Sequence, residues 1–452
     1  MRKISMLWII GALLFLSEGL HASGWKAGTA RTVITPQESI WMAGYGGRKQ
    51  PGSGIIHDLW AKAIALEDSL GNRSVLVTLD LLGLNKPLYD RICKRLQSDL
   101  NLSRERIILS ASHTHSGPAL AGTLVDIYPL DIDKDKGITR YTTLLESKIV
   151  QLVSAAFQTM TPVELYAENG VTRFQVNRRN NREGALLQQT ELKGPNDYAV
   201  PVIKVTDLQG NIRAIIFGYA CHATTLDGLN WCGDYPGFAQ LELEKMYPGA
   251  VAMFFAGAGA DQNPLPRRTI PLARQHGLTL AVAVDRVLNE QMRKLSPFLL
   301  AAGKEVVLPL EAPPTKEALA VIAGQQQDDY TKRWAARILS EMEKGQMPLT
   351  SYPYPIQIWN IGGQPLLCLG GELVIEYAIG FKRMFGKDIF VMGYANDVPS
   401  YIPSVTILRE GGYEGDTSQK VYGMPCKWSE EIEPLIYQGM KELAPSVRVS
   451  MQ

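Results

Sequence analysis

Ile107-Ile-Leu-Ser-Ala-Ser-His-Thr-His-Ser-Gly-Pro-Ala119 begins as an apolar run and ends in a Gly-Pro pair. A short apolar run bounded by polar residues reads as a buried strand, and Gly117-Pro118 punctuates structure rather than continuing it. The segment is expected to be a strand running into a tight loop that carries His113 and His115. In extended backbone, residues two apart point to the same side, so both imidazoles are expected to face one pocket. Imidazole serves both metal ligation and proton transfer near neutral pH. From spacing alone the alternative is a pair of loop histidines bonded to nearby backbone. The chain has six histidines, one of them His21 in an N-terminal apolar stretch, so two of the remaining five sit here.

The strand-then-polar-loop unit recurs along the chain. Upstream, Lys26–Pro36 alternates like a strand and is followed by the glycine-rich Gly44-Tyr-Gly-Gly47. Leu59–Leu66 and Ser74–Asp80 read as strands joined by the turn Gly71-Asn-Arg73, and Pro87–Leu100 has helical spacing. Downstream, Thr139–Met160 is an amphipathic helix. Val200–Val205 and Ile212–Tyr219 form a second hairpin, which runs into Ala220-Cys-His-Ala-Thr224. Gly237–Tyr247 and Pro271–Met292 read as helices around the strand Val251–Phe255. Thr315 opens a polar helical stretch to about Gly345, ended by the proline-rich Pro348–Pro355. Pro365–Leu369, a helix to Phe385, Ile389–Met392 and a closing helix Trp428–Leu443 complete the pattern. Strands and helices alternate with hairpins mixed in, which predicts an α/β fold with mixed rather than purely parallel sheets and flanking helices. The simplest parse is one large catalytic domain over residues 24–452, with 310–355 as a helical excursion.

A hydrophobic fraction of 46% and a charged fraction of 20% are those of a globular chain with ample core. A net charge of +1 spread along the chain argues against nucleic acid as a partner. Met1-Arg-Lys3, the apolar Ile4–Leu16 and the small residues of Ser17–Ser23 form a leader-like N-terminus. Its apolar part falls short of the roughly 20 residues that span a bilayer. Residues 1–23 are therefore expected to be a cleaved secretory signal peptide, and the product to be exported, periplasmic or secreted. Stable membrane insertion is not expected, although transient contact with a membrane surface is compatible. The five cysteines are too scattered for a disulfide scaffold. Cys221 and Cys232 could pair across a short loop or remain buried thiols.

Several strand ends carry ligand-capable residues: Asp80, His113 with His115, His222, Asp234, Asp261, Glu372 and Gly393-Tyr-Ala-Asn-Asp397. The ends of buried strands are where open α/β sheets place their sites. A hydrolytic zinc centre needs a few N/O ligands and an open position for water, and His113, His222 and Glu372 offer two histidines and a carboxylate. On spacing alone, scattered histidines without a metal remain the alternative. Asp80 and Asp234 could orient the ligand histidines or cap turns and helices. His57 is read as a structural hydrogen-bonding residue.

These residues also carry a resemblance. His113-Thr-His-Ser-Gly-Pro118, Cys221-His-Ala-Thr-Thr225, Asp234-Tyr-Pro-Gly-Phe-Ala239, Gly371-Glu372 and Gly393-Tyr-Ala-Asn396 with Tyr401 occur in the order seen in neutral/alkaline ceramidases. The chain resembles the catalytic region of that family over nearly all of its length after the leader. The resemblance implies an exported zinc amidase that cleaves the N-acyl bond of ceramide. It implies zinc held by His113, His222, Glu372 and Tyr401, with His115 facing the reacting carbonyl. Arg178 and Tyr413 are implied as donors near the developing oxyanion; the alternatives are a surface charge for Arg178 and a packing role for Tyr413.

Two departures stand out. Where the family carries an active-site serine in a Gly-Asp-Val-Ser-Pro-Asn block, this chain reads Gly259-Ala-Asp-Gln-Asn-Pro264. Asp261 is retained as a supporting carboxylate, Asn263 lies near the serine position, and Asn263 or Gln262 could bond substrate instead. A route through an acyl-serine is therefore not expected, while one through activated water is. The family's C-terminal β-sandwich is also not expected here. The substrate is thus expected to be a ceramide-like N-acyl lipid, or else another exported amide or ester such as an acylated sugar. A non-catalytic exported binding protein on the same scaffold is the third possibility.

Overall fold

The computed structural model of the chain describes residues 24–129 and 135–452; the expected leader, residues 1–23, lies outside the described residues. Eight strands form the body of a large mixed sheet: β1 (Trp25–Val33), β2 (Trp60–Glu67), β3 (Arg73–Leu79), β4 (Ile107–Ala111), β5 (Thr161–Val171), β6 (Ala199–Asp207), β7 (Ile212–Tyr219) and β8 (Val251–Ala256). Their spatial order is β8-β7-β6-β5-β1-β2-β3-β4, with Arg293–Lys294 added alongside β5. The central pairs are antiparallel, and the two end pairs, β3 with β4 and β7 with β8, are parallel. Each parallel pair needs a crossover helix. These are α1 (Lys86–Leu100) and, after the long α2 (Lys136–Gln158), α3 (Asp234–Met246). Asn85 and Asp135 cap α1 and α2 by accepting backbone N–H bonds.

The sheet curls so that its two ends approach, β8 coming alongside β4. The segment 393–396 stitches them together. Gly393 N donates to Ala256 O, Ala111 N to Tyr394 O, and Asn396 N to Leu109 O. Asn396 Oδ1 also accepts from Leu109 N. This curl brings loops from opposite ends of the strand order into one place.

A second sheet contains β9 (Leu299–Pro309), β10 (Ser351–Ile361), β11 (Gln364–Leu369) and β12 (Phe390–Met392) in that order. The alternation along β10 and β11 settles its packing. Trp359, Ile361, Leu366 and Cys368 join the inner face of the large sheet in one core. Ile356, Ile358, Leu367 and Leu369 face the opposite way, toward Ile375–Phe385 and Ile432–Leu443. The result is helix, sheet, sheet, helix. Among the described residues no helix is long and apolar enough to cross a membrane.

Most elements lie where their patterns place them, and four differ. The proline-rich stretch after Gly345 is not simply a terminator, because Ser351–Ile361 is a paired strand. Pro353 and Pro355 sit where β10 pairs β9 alone, before its pairing with β11 begins at Ile356, so their missing N–H groups cost no ladder bond there. Strands β5 and β9 carry Asn169-Gly170 and Ala301-Ala-Gly-Lys304, residue types depleted in strands; long-range pairing makes them strands regardless. The closing helix begins at Ile432, and Trp428 is core, its indole N–H donating to Tyr401 O at 2.8 Å. Between β9 and β10, Lys316–Ala323 and Tyr330–Glu343 form a helical pair around Leu319, Trp334, Ala335 and Ile338.

Candidate metal centre and active site

His113 and His115 follow β4. The expectation that both rings face one pocket holds, but the backbone reason does not. The strand ends at Ala111 and His113 has φ 59°, in the left-handed region that non-glycine residues rarely occupy. The turn, rather than an extended strand, sets the two rings 4.9 Å apart between centroids. His222 follows β7, and its ring lies 4.8 Å from that of His113. The ligand atoms of His113, His115 and His222, all buried, lie within 4.8 Å of one another and could hold a metal ion.

The tautomers follow from the hydrogen bonds. His113 Nδ1 lies 2.7 Å from Leu82 O, and His222 Nδ1 lies 2.9 Å from Gly259 O. A carbonyl only accepts, so each Nδ1 carries a proton, and in the neutral ring each Nε2 presents a lone pair. Burial pushes the His222 pKa down to about 4, and that of His115 well below the ordinary histidine range. Glu372 reaches the same point, its Oε2 lying 3.2 Å from His113 Nε2 and 3.1 Å from His222 Nε2. That oxygen is buried and has no hydrogen-bond partner among the described residues. Tyr401 Oη is 3.2 Å from His222 Nε2. With both rings neutral, two imidazole lone pairs and a carboxylate oxygen face one another, an arrangement that a cation relieves and that is costly without one. Separations near 3.2 Å also suit ligands of one small ion, because bonds of about 2.0–2.1 Å set tetrahedral neighbours about 3.3 Å apart.

His115 differs from the other two. Its Nε2 is 3.2 Å from His113 Nε2, but its Nδ1 is buried without any partner. It lacks the carbonyl anchor that holds a ligand in one tautomer. The backbone around it is tight: a Cβ on Gly44, which has φ 101°, would lie 2.5 Å from His115 Nδ1. The glycine-rich loop therefore closes directly over this ring.

Arg178 and Tyr413 also come to the site. Arg178 donates from Nη2 to Tyr401 Oη at 3.1 Å and from Nε to Glu414 Oε1 at 2.7 Å, so it is no free surface charge. Tyr413 packs its ring 5.3 Å from that of Tyr401 and is 43% exposed, at the mouth of the site. Asn263 and Gln262 are buried, each with a side-chain oxygen lacking a partner. Asn263 lines a cavity with Arg178 and Tyr413.

Among the described residues Asp80, Asp234 and Asp261 make no hydrogen bond to His113, His115 or His222. Asp80 accepts from Trp60 N and Gln240 Nε2. Asp234 accepts from Leu226 N and Tyr235 N, capping a turn. Asp261 accepts from Ile375 N and Asn177 Nδ2. The orienting groups are instead two backbone carbonyls and Tyr422, whose hydroxyl donates to Glu372 Oε1 at 2.5 Å. No motif marks Tyr422, fifty positions beyond Glu372. Tyr394, its ring 4.4 Å from that of His113, was visible only as part of Gly393-Tyr-Ala-Asn396. All five cysteines are free thiols, so Cys221 and Cys232 do not pair. Cys232 Sγ lies 3.2 Å from Nε2 of His57, whose Nδ1 meets Asp58 O, in keeping with a structural role.

Fold and site together define a two-sheet α/β protein with a buried histidine–carboxylate–tyrosine centre at the strand ends. Residues 25–261, just over half of the chain, match the model of the neutral/alkaline non-lysosomal ceramidase family, N-terminal region. The chain belongs to that family. It is 28% identical over 273 residues to a neutral ceramidase of Drosophila pseudoobscura pseudoobscura, covering 56% of this chain and 37% of that protein. It is 25% identical over 258 residues to a neutral ceramidase of Pseudomonas aeruginosa, covering 53% and 37%. The matched stretch thus spans little more than a third of these relatives. The crystal structure of neutral ceramidase from Pseudomonas aeruginosa superposes with a TM-score of 0.73 at 20% identity, covering 95% of this chain and 75% of that one. A ceramidase complexed with C2 gives 0.73 at 18% identity, covering 95% and 76%. These likenesses bear on the fold alone.

Proposed function

We propose that the chain is a zinc-dependent amidohydrolase that cleaves the N-acyl bond of ceramide or a ceramide-like N-acyl lipid. The observation that carries this is the meeting of His113 Nε2, His222 Nε2 and Glu372 Oε2. Together with Tyr401 they are the residues that would hold the ion, a nitrogen- and oxygen-rich set suited to zinc. When bound, zinc supplies an acidified water and an electrophile for the carbonyl oxygen. The chain's own residues do the rest. Leu82 O, Gly259 O and Tyr422 hold the ligand groups in position. Arg178 and Tyr413 stand beside Tyr401 as donors for charge that develops on the carbonyl oxygen. His115, with an Nδ1 tied to nothing, carries the proton to the leaving amine. Asn263 at the family's serine position offers an amide instead of a hydroxyl nucleophile, which favours direct attack by water.

The test is release of labelled fatty acid from ceramide by the purified protein, with metal content measured alongside. Stoichiometric zinc and chelator-sensitive release support the proposal. Absence of release across the pH range, with zinc present, removes the ceramide substrate and leaves a zinc hydrolase of another amide or ester. The amide at position 263 favours that second reading. We also place the mature protein outside the cytoplasm, on the strength of the N-terminal leader pattern. N-terminal sequencing of exported protein beginning at about residue 23 or 24 would support it, and an intact Met1 in the cytoplasm would remove it.

A further inference from the structure

Tyr413 separates two cavities at the mouth of the centre. The cavity on one side, about 570 Å³, is lined by Arg178, Arg179, Arg182, Arg267 and Asn263, with Glu183 and Glu414 as its only carboxylates among the described residues. The one on the other side, about 820 Å³, adds Arg48, Lys49 and Arg268 against Asp227. The whole chain has a net charge of only +1, so positive charge is concentrated where substrate enters.

The smaller cavity is short of carboxylates. Glu414 is shared between Arg178 Nε and Arg179 Nη1, both at 2.7 Å. Glu183 is taken by Arg267, and Arg179 reaches outside the lining to the exposed Glu410. Among the described residues Arg182 makes no ion pair, and Arg178 bonds through Nε and Nη2 but not Nη1. Asn263 is 6% exposed, and its side-chain amide has no hydrogen-bond partner among the described residues, its Oδ1 being buried and unpaired. Arg182 is exposed and its guanidinium is free to pair with a ligand, while the buried Asn263 Oδ1 is costly unless a donor meets it. A neutral sphingoid headgroup leaves that charge unmatched.

We propose that this cavity is an anion subsite, so that the favoured substrate is an N-acyl amide bearing a sulfonate, carboxylate or phosphate group beside the scissile bond. Arg178 and Arg182 contact the anion, Arg267 sets the field around it, and Asn263 Oδ1 accepts from an N–H or O–H of the same substrate. The inference rests on the amide-hydrolase reading and sharpens its substrate class.

The test compares N-acyl taurine with N-acyl ethanolamine, near-isosteric amides that differ in a sulfonate against a hydroxyl, each with a dodecanoyl and a butanoyl chain. With the zinc-loaded enzyme, kcat/KM is expected to favour the taurine amide by about tenfold or more, as charge-assisted bonds to guanidinium imply. The preference is expected to shrink with added salt. Arg182→Gln, at an exposed position, and Arg267→Gln are each expected to pull the ratio toward one. A preference held by both chain lengths assigns the recognition to the anion itself; one confined to the dodecanoyl pair adds a lipid requirement to it. Equal or better turnover of the ethanolamide overturns the subsite, as does a preference that survives both substitutions. If no amide is hydrolysed, the amide-hydrolase reading fails, and calorimetric binding of the same dodecanoyl pair decides the subsite. Tighter taurine-amide binding that is lost in Arg182→Gln keeps it; equal binding overturns it.

Discussion

In one arm of the large sheet, hairpin β2–β3 hands over to α1 and the parallel end strand β4; in the other, hairpin β6–β7 hands over to α3 and the parallel end strand β8. The arms share a plan and carry exchanged cargo. The second hairpin strand leads to Asp80 in the first arm and to His222 in the second. The end strand leads to His113 in the first and toward Asp261 in the second. Each arm thus contributes one imidazole to the centre and one carboxylate that ties backbone elsewhere. Asp80 even reaches across to Gln240 on α3 of the other arm. The comparison teaches that position at a strand end does not assign a role. Histidines converge because their Nδ1 atoms are pinned by carbonyls, whereas the carboxylates are spent on backbone N–H groups and amides.

If both arms feed one centre, His113→Ala and His222→Ala should be alike. Each is expected to reduce activity by more than the roughly 10–100-fold typical of outer partners and to bring bound metal below stoichiometric. Full metal retention in either variant would break the shared-centre picture. Tyr422→Phe removes the donor to Glu372 Oε1 and should cost about 10–100-fold in metal affinity or activity, read by competition with a chelator. Unchanged affinity would show that Glu372 needs no such support. Asp80→Ala should leave metal stoichiometry intact while lowering stability by about 1–3 kcal/mol, because Trp60 N loses its buried acceptor. Denaturant unfolding reads the stability change, and metal loss in that variant would restore a ligand-orienting role.

A pH-dependent effect concerns the residue that follows the segment joining the arms. Burial pushes the Asp397 carboxyl up to about 7, above its unfolded value of about 3.9. Between those values the folded state holds a proton that the unfolded chain has released, so stability falls as pH rises through that window and is level above it. Asp397→Asn should lack that slope, which thermal unfolding at several pH values would show. An identical slope in the variant would assign the titration elsewhere.

Much of this was legible in local pattern. Ile107–Leu109 and Ile212–Tyr219 are apolar runs that could only be buried strands, and the histidine motifs stand at their ends. β9 and β10 were not legible, because glycine, alanine and proline carry no strand signal until a long partner strand pairs with them. Nor were the supports of the centre. Leu82 O and Gly259 O are backbone atoms, which no side-chain motif marks, and Tyr422 acts from far along the chain.

The sequence by itself determined the α/β class and offered His113, His222 and Glu372 as candidate ligands, since periodicity and strand-end motifs are local properties of the chain; Tyr401 entered only through the family resemblance. Only the tertiary structure decided that opposite ends of an eight-strand order meet. The curl of the sheet and the Gly393–Asn396 stitch place His113 beside His222. The same closure set His115 apart by leaving its Nδ1 unbonded and turned Asp80 and Asp261 into backbone ties. Hydrogen-bond partners are chosen by proximity in space, which no spacing along the chain encodes.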